Sequence, residues 1–368
     1  MPRHIDELIA KYGGSPSSKS KRKVDRARHV GERVQGQDCS AEGIAIKQHR
    51  EAAARRGVAK EPMKIPIDLE TMAEALSIVK HAVSEDETRP KLNSVLIEGL
   101  SGRLAATASD GMRLSHVELP CDRVPRDGFL IPQEFIGKVM EMGNHDRVGG
   151  LMVSPDAEIN SRNKTQVVHG QISLSCSRGI VTFDSKGHFP PWEEVIPASH
   201  DIEVHVDIEE MIGMLKQIPV VENIHQAGRR KHREVLFVFS PLLGGRKTMS
   251  VLGITQSTHL IDSSSVVFLG QFPYDCSLSY NAATGMTVDL DGNFVMEALR
   301  AFRKGGAAST AMKFIEGMKG AVMDPVRIDS TGKGGSDMVE VFQPYSTELA
   351  SGMLEQLPYY CEHAASGL

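Results

Sequence analysis

The sequence predicts an α+β protein made of two repeated modules, each with two helices packed on antiparallel sheet. Two observations predict this class: a helical pattern that occurs twice, and strands of period two joined by tight turns between those helices. With 368 residues, two or three domains are expected. We place the modules at residues 63–200 and 201–346, after an arm (1–62) and before a tail (347–368).

The helical repeat is the clearest internal duplication. Residues 68–76 (DLETMAEAL) and 207–215 (DIEEMIGML) share the pattern Asp-aliphatic-Glu-x-Met-x-x-x-Leu. The opening Asp of each suits the N-cap position, and the apolar residues fall on one helical face. A second pair, 133–142 (QEFIGKVMEM) and 292–302 (GNFVMEALRAF), places Phe and Met on a helical stripe. Each module therefore carries two predicted helices.

Between these helices the hydrophobic pattern changes to period two, which is typical of strands. In the first module, residues 103–109 and 112–119 are joined by Asp110-Gly111, a strong hairpin signal. Arg178-Gly179 joins another hairpin, 171–176 with 180–184. The other predicted strands are 94–98, 234–240, 247–255, 265–269, 326–328 and 338–342. The strand-rich pattern with few helices favours antiparallel sheet covered by helices on one face.

The charge is unevenly distributed. Residues 1–62 contain 14 Lys and Arg against 8 Asp and Glu, a net charge of +6, although the whole chain has a net charge of -5. The remainder therefore carries -11. A basic arm before an acidic body suggests an anionic partner for the arm, and the alternative is a disordered, solubilising tail.

Cysteine usage and hydropathy indicate a cytoplasmic protein. No two of the five cysteines form a CxxC pair, so they are expected to be reduced thiols. No apolar run approaches the ~18 residues of a membrane span, and no signal segment begins the sequence. The cysteines are Cys39, Cys121, Cys176, Cys276 and Cys361.

An enzyme is the first alternative. Lys247-Thr248 after a Gly pair, and the glycine-rich residues 331–335, only partly match a phosphate-binding loop, and both fit hairpin turns. Asp110 and His116 could suggest acid–base chemistry, but Asp-Gly marks a turn and His116 is expected to point out of a strand. No metal-ligand spacing or nucleophile motif occurs. We therefore expect no catalytic residues, no metal and no cofactor.

Three segments carry a family resemblance. Residues 81–99 (HAVSEDETRPKLNSVLIEG), 107–120 (TASDGMRLSHVELP) and 189–197 (FPPWEEVIP) closely resemble the middle domain of the bacterial DNA polymerase III beta subunit, a sliding clamp. Residues 202–346 resemble that family's last domain more weakly. The resemblance implies a DNA clamp fold and a non-enzymatic processivity factor that encircles duplex DNA.

Two departures from the family matter. Family chains have three such domains, and two copies make a ring of six, whereas this chain has two domains and would need three copies. The resemblance therefore suggests a homotrimer, with a dimer as the alternative. The chain also continues beyond the family's last strand, and this tail could cover or extend the partner pocket. A two-domain chain with a basic arm suits a phage or mobile element.

A ring on DNA needs a positive inner wall that attracts phosphates without reading bases. Six candidates lie on or just beyond the predicted helices, and two lie in a loop that the family places near DNA. For each of them the alternative is a solvated helix face or loop. They are Lys80, Arg89, Lys91, Lys138, Lys216, Arg300, Arg303 and Lys304.

The resemblance also implies a pocket for short peptide motifs of a DNA polymerase, a clamp loader and other partners. Residue by residue, it falls on Leu92, Ser109, Gly111, Met112, Arg113, Leu114, Pro190, Glu194, Val195, Val341, Gln343, Pro344 and Tyr345. Aliphatic residues with a few polar edges suit an extended peptide. The alternative for Leu92, Leu114 and Val341 is an ordinary core position.

Four pocket positions depart from the family's usual residues. Glu194 replaces a basic residue, Met112 a His, and Gln343 and Tyr345 replace Met, so the peptide preference is expected to differ. Trp192, the only Trp, is expected to anchor its loop at the domain boundary, with peptide contact as the alternative. A further functional alternative is a clamp-fold accessory protein for transcription or repair. Either role places the protein at the nucleoid of a bacterial or phage-infected cell.

Overall fold

A computed structural model describes residues 64–89, 91–100, 102–125, 127–154, 157–162, 165–222, 231–240, 247–254, 266–277, 286–315 and 325–344. The predictions for the arm (1–62), for the tail (347–368) and for Tyr345 lie outside the described residues.

The first module, β1–β9, contains two helices and nine strands in the described residues. Its elements are β1 (Lys64–Asp68), α1 (Leu69–Val79), β2 (Ser94–Leu100), β3 (Arg103–Ser109), β4 (Arg113–Pro120), β5 (Phe129–Pro132), α2 (Gln133–His145), β6 (Val148–Val153), β7 (Glu158–Arg162), β8 (Thr165–Cys176) and β9 (Gly179–Ser185). A short 3-10 turn, Lys80–Ala82, follows α1, and another, Trp192–Glu194, follows β9.

The second module, β10–β20, follows the same plan with short additional strands. Its elements are β10 (Ile202–Asp207), α3 (Ile208–Gln217), β11 (Val221–Glu222), β12 (Lys231–His232), β13 (Glu234–Ser240), β14 (Thr248–Ile254), β15 (Val266–Pro273), β16 (Asp275–Cys276), β17 (Met286–Asp291), α4 (Gly292–Lys304), β18 (Ser309–Phe314), β19 (Val326–Thr331) and β20 (Asp337–Phe342). Apart from β7 in the first module and the two-residue strands in the second, each module has the order strand, helix, three-strand meander, strand, helix and three strands.

The pairing of the strands is duplicated as well. In each module the strand before the first helix pairs with the strand after the second, β1 with β6 and β10 with β18. The next two strands extend this sheet, β8 and β9 in one module and β19 and β20 in the other. The meander and the strand before the second helix form the other sheet of each module, β4-β3-β2-β5 and β15-β14-β13-β17.

One ladder joins the two modules. β20 pairs antiparallel with β4, so a single nine-stranded sheet runs in the order β16-β10-β18-β19-β20-β4-β3-β2-β5. We call this ladder the module junction. The α+β class and the antiparallel strands predicted from the sequence are confirmed.

The duplicated helices start as the sequence predicts. The Asp68 Oδ1 accepts a hydrogen bond from the Thr71 backbone N–H at 2.9 Å, and the Asp207 Oδ1 accepts one from Glu210 N–H at 2.9 Å. Each carboxylate thereby satisfies a donor that the first helical turn leaves without an internal partner. The predicted apolar faces are buried: Leu69, Met72, Ala73 and Leu76 in α1, and Ile208, Met211, Ile212 and Leu215 in α3.

The described part of the chain contains no helix that is long and apolar enough to cross a membrane.

Candidate partner-binding site and helix surface

The module junction brings together residues far apart in the sequence. Val341 lies opposite Leu114, and Val339 lies opposite His116. Because successive side chains of a strand point to opposite faces, β20 contributes Met338, Glu340 and Phe342 to the helix side and Val339 and Val341 to the other side. Accordingly, Met338 and Phe342 belong to the main core.

The sheet face away from the helices carries its own apolar cluster, which we call the outer cluster. It consists of Leu96, Leu114, Leu130, Val167, Phe189, Trp192, Val195 and Val341. The segment 189–196 crosses this face and supplies three of these side chains. The outer cluster therefore combines both modules with the loop that connects them.

Trp192 fastens that loop to the sheet. Its indole stacks on the His116 imidazole, with ring centroids 4.1 Å apart, and its Nε1–H donates to a Glu98 carboxylate oxygen at 3.3 Å. Only 9% of Trp192 is exposed. These contacts fit the interpretation of Trp192 as a packing anchor. His116 points to the face of the sheet away from the helices, but it is buried there because Trp192 and the Thr107 hydroxyl, 2.9 Å from its Nδ1, enclose it.

The predicted Asp110-Gly111 turn is confirmed and borders the outer cluster. Gly111 has a φ of 89°, which favours glycine, and the Asp110 Oδ1 accepts from the Met112 and Arg113 backbone N–H groups at 2.8 and 3.1 Å. The Gln343 N–H donates to the Met112 carbonyl at 3.0 Å, which ties the turn to the end of β20. Asp110 therefore has a structural task in this turn.

Arg113 is almost fully buried at the junction. Its guanidinium contacts the Asp110 carboxylate at 3.2 Å and the Glu297 carboxylate of α4 at 2.6 Å, donates to the His81 carbonyl, and lies 4.1 Å from the centre of the Phe294 ring. Burial lowers the pKa of Arg113, but Asp110 and Glu297 outweigh this effect and raise it. Arg113 therefore links the modules and presents little surface to a peptide.

The predicted pocket residues separate into a floor and a narrow accessible edge. Those that are buried are Leu92, Ser109, Gly111, Arg113, Leu114, Val195, Val341, Gln343 and Pro344. Met112 and Pro190 are half-buried, and Glu194 is exposed. Leu114, Val195 and Val341 meet in the outer cluster, of which Leu92 is not a member.

A buried ion pair, absent from the sequence predictions, lies on the helix side of the junction. The His81 Nε2 is 2.9 Å from Oε1 of Glu340, whose side chain is fully buried, and the His81 Nδ1 is 2.8 Å from the Ile78 carbonyl. Both ring nitrogens thus face oxygens, which favours the imidazolium when Glu340 is ionised. Burial disfavours the positively charged imidazolium, and so does the nearby Arg113 guanidinium. The attraction of the Glu340 carboxylate outweighs both effects and raises the pKa of His81.

No short-range signal pointed to this pair. His81 follows α1, whereas Glu340 lies in β20 between the core residues Met338 and Phe342, and no neighbour in the sequence identifies a partner for it. The pairing of β20 with β4 brings Glu340 of the second module beside His81 of the first.

The predicted DNA-facing cations are largely accessible. Lys91 is half-buried, and the other seven are exposed. Lys80 and Lys304 lie near one another, where α1 and α4 end. The pKa of Lys304 is lowered because the side chain is partly buried and because the Lys80 ammonium repels its charge. A Cβ added to Gly305 would lie 3.3 Å from Ile78 Cδ1, which shows how closely these helix ends approach.

Exposed acids share the helix surfaces. Glu70, Glu134 and Glu209 stand in the first turns of α1, α2 and α3, and Lys216 stands in the last turn of α3. Acids at helix starts and cations at helix ends also complement the helix dipole, which is the alternative explanation. The Arg303 guanidinium contacts Glu209 at 2.6 Å, so part of its charge is already balanced.

The described residues contain no group of three or more His, Cys, Asp or Glu side chains arranged to hold a metal ion. Residues 331–335 connect β19 and β20, with Gly334 and Gly335 at φ values of 73° and 80°, so the second glycine-rich segment is a turn as predicted. For the first such segment, 244–246 lie outside the described residues.

Duplicated two-helix modules whose sheets join edge to edge define this chain as a protein with a DNA clamp fold. The chain is similar to bacterial DNA polymerase III beta subunits, as its sequence motifs predicted. The beta sliding clamp of Chlamydia trachomatis is 23% identical over 182 residues, which are 49% of this chain and 39% of that protein.

Solved structures agree with this likeness. The DNA polymerase III beta subunit of Thermotoga maritima aligns with a TM-score of 0.58 and 17% identity over 78% of this chain and 67% of its own. The C. crescentus beta sliding clamp aligns with a TM-score of 0.56 and 15% identity, over 79% and 67%. No protein-family profile matches. The match with the C. trachomatis relative spans less than half of that relative's length.

Proposed function

We propose that this protein is a non-enzymatic DNA sliding clamp: a processivity factor that forms a ring around duplex DNA and tethers a DNA polymerase and other partners. The observation that carries the proposal is the module junction. It joins the last strand of one module to the meander of the other, and the same two kinds of edge strand recur as β9 in the first module and β15 in the second, which pair only with β8 and β14 within the described residues. A unit of this kind can repeat head to tail until it closes.

The ring is proposed to contain six modules and therefore three chains. The modules are assigned to residues 63–200 and 201–346, with 1–62 as a basic arm and 347–368 as a tail. Mass photometry of the full chain without DNA is expected to give a particle of three times 40.2 kDa. A dimer would reject the trimer while retaining a ring, and a monomer at micromolar concentration would reject both.

The DNA-facing surface is proposed to centre on the ends of α1 and α4. Lys80 and Lys304 approach each other there, and Arg300 is exposed on the same stretch of α4. Exposed ammonium and guanidinium groups attract phosphates through a sequence-independent term that weakens with salt. Contacts limited to backbone phosphates permit sliding because they carry no base information directly.

The partner site is proposed at the accessible edge of the outer cluster. Met112 is half-buried beside the junction, and Pro190 and Glu194 belong to the loop that Trp192 fastens. An apolar side chain of an extended peptide would lie against Met112 and Pro190, over a floor already formed by Leu114 and Val341. The exposed Glu194 favours a peptide with a basic flank.

Substitution of Met112 tests this site. Met112→Asp is expected to abolish binding of a cognate polymerase tail peptide while leaving assembly unchanged, because a carboxylate would be desolvated against the apolar edge. Met112→Leu is the matched control and is expected to keep binding. If Met112→Asp leaves the peptide affinity intact, the partner site lies elsewhere.

Topological retention tests the whole proposal. With a clamp loader and ATP, the protein is expected to remain on nicked circular DNA at a salt concentration that abolishes its binding to linear DNA, and cutting the circle is expected to release it. Equal retention on circles and linear fragments would indicate ordinary electrostatic binding instead. The proposed role places the protein with the replicating nucleoid in the cytoplasm.

A further inference from the structure

A lysine and a cysteine lie in direct contact in the second module. The Lys247 ammonium donates a hydrogen bond to the Cys276 sulfur, with Nζ 2.8 Å from Sγ. Lys247 immediately precedes β14, which belongs to the sheet β15-β14-β13-β17, and Cys276 ends β16, at the edge of the nine-stranded sheet. The contact therefore connects the two sheets of this module through side chains that are 29 residues apart in the sequence.

Backbone contacts hold both residues of this pair in place. The Tyr274 N–H donates to the Lys247 carbonyl at 3.2 Å. Cys276 is paired with Ile202 of β10. The ammonium and the sulfur therefore meet because their strands are fixed. Lys247 is exposed and Cys276 is half-buried, so a small solute can reach the pair.

Two other cysteines have the opposite surroundings. Cys121 is buried, and this burial raises the pKa of its thiol. Cys176 is half-buried, and its thiol forms a hydrogen bond with the Asp146 carboxylate. The thiolate is the nucleophilic form of cysteine, and a neighbouring ammonium favours it, whereas burial or a carboxylate disfavours it. Among the three free cysteines of the described residues, Cys276 therefore has the surroundings of a reactive thiol.

We propose that Lys247 and Cys276 form a peroxide-sensitive site that closes into a covalent sulfur–nitrogen bridge. The thiolate attacks a peroxide oxygen: a sulfur–oxygen bond forms, the oxygen–oxygen bond breaks and hydroxide leaves, so the sulfur is oxidised by two electrons and the peroxide is reduced. The neutral lysine amine then attacks the sulfenic acid. A sulfur–nitrogen bond forms, the sulfur–oxygen bond breaks, and the amine proton leaves with the hydroxyl as water. A thiol reductant reverses the bridge and is itself oxidised to a disulfide.

The charges of the pair set the order of these two steps. In the reduced pair, the hydrogen bond to Cys276 and the charge of its thiolate raise the pKa of Lys247, so the lysine remains protonated. Oxidation to the neutral sulfenic acid removes the thiolate charge and lets the ammonium release its proton more readily. Tyr274 and Asp275 still favour the ammonium. Bridge formation is therefore expected to accelerate from about pH 7 to about pH 9, as the neutral amine becomes more abundant.

Mass spectrometry of the full chain tests the bridge. The protein is treated with a small excess of hydrogen peroxide, its remaining thiols are alkylated, and it is digested with trypsin. Trypsin is expected to cut after Arg246 but not after the bridged Lys247, and the next cleavage site is Arg300. The expected product is a peptide of residues 247–300 that is about 2 Da lighter than its linear form and carries no alkylated thiol. Dithiothreitol is expected to restore cleavage after Lys247.

Two lysine variants separate the two steps. Lys247→Arg keeps a positive charge but provides no neutral amine, so the sulfenic acid is expected to accumulate and to be captured by dimedone at Cys276. Lys247→Met removes the charge and is expected to slow the oxidation of Cys276 at least about fivefold. Cys176→Ser is the matched control and is expected to form the bridge as the natural protein does. Unchanged melting temperatures show that the variants fold.

The outcomes decide each part of the proposal. If Cys276 is oxidised and trypsin still cuts after Lys247, no bridge forms and the proposal is overturned. If Cys276 reacts no faster than Cys176, the ammonium does not activate the thiol and the site is overturned as well. Neither measurement uses DNA or a partner peptide, so failure of this proposal leaves the proposed clamp function untouched.

Discussion

Removal of His81 should destabilise the chain far more than removal of an exposed histidine. His81→Val leaves the fully buried Glu340 carboxylate without the imidazole 2.9 Å away. Breaking a buried ion pair on one side costs about 3–5 kcal/mol, because the remaining charge stays desolvated. Glu340→Val should cost less, since the imidazole can become neutral and still donate from Nδ1 to the Ile78 carbonyl.

Replacing both partners should recover most of the loss. His81→Val with Glu340→Val replaces both ionisable side chains by apolar ones, and apolar replacement of a buried pair is often neutral or stabilising. We expect the double variant to lie within about 1 kcal/mol of the natural protein, which gives a coupling energy of at least roughly 2–4 kcal/mol, larger by whatever Glu340→Val costs alone.

Urea unfolding measures these differences as a double-mutant cycle. One fixed protein concentration is needed, because the proposed assembly would make the apparent stability depend on concentration. His200→Val is the control, since the His200–Glu203 pair is also 2.9 Å long but 34% and 28% exposed, and should cost at most about 1 kcal/mol. The reasoning is refuted if His81→Val costs no more than this control.

Three further outcomes are expected. The pKa of His81 in the folded protein is raised above its ordinary value of 6.5. Its stabilising contribution is therefore complete below about pH 6.5 and is lost as the pH rises through the folded pKa. Urea midpoints should show this loss in the natural protein and not in the double variant. Trp192→Ala should lower the free energy of unfolding by about 3–5 kcal/mol, measured the same way, through lost packing and the lost donor to Glu98. Lys80→Glu with Lys304→Glu should shorten retention on circular DNA. It should also make the plot of log binding constant against log salt concentration less steep by the equivalent of about two phosphate contacts. An unchanged slope would place the DNA surface elsewhere.

Local chemistry made much of each module predictable. Asp68 and Asp207 cap helices because a short carboxylate reaches the N–H groups of the first turn, and this depends on only four residues of sequence. Asp110-Gly111 specifies a hairpin in the same local way. Strands β1 and β10 were missed because each pairs with a strand about 80–110 residues later in the sequence, and a short run alone gives little signal.

The site was less predictable because its surroundings come from both modules. Leu114 and Val341 were predicted as pocket residues and are floor residues under the loop that carries Trp192. Glu340 lies on the helix-side face of β20 between the core residues Met338 and Phe342, and it is fully buried there beside His81 of the other module. Periodicity reports that a strand has two faces, and it does not report which residue of another module will lie beside a buried carboxylate.

The ladder between β4 and β20 also governs how the protomer deforms. Six residue pairs continue the backbone hydrogen bonding across the boundary, and Arg103 bridges to Asp337 at one end while Arg113 bridges to Glu297 at the other. The two modules are therefore expected to move together as one rigid unit, because a hinge between them would have to break the hydrogen bonds between β4 and β20. If copies of the chain form the proposed ring, mechanical strain on that ring would be taken up mainly at the contacts between chains, which no covalent backbone crosses.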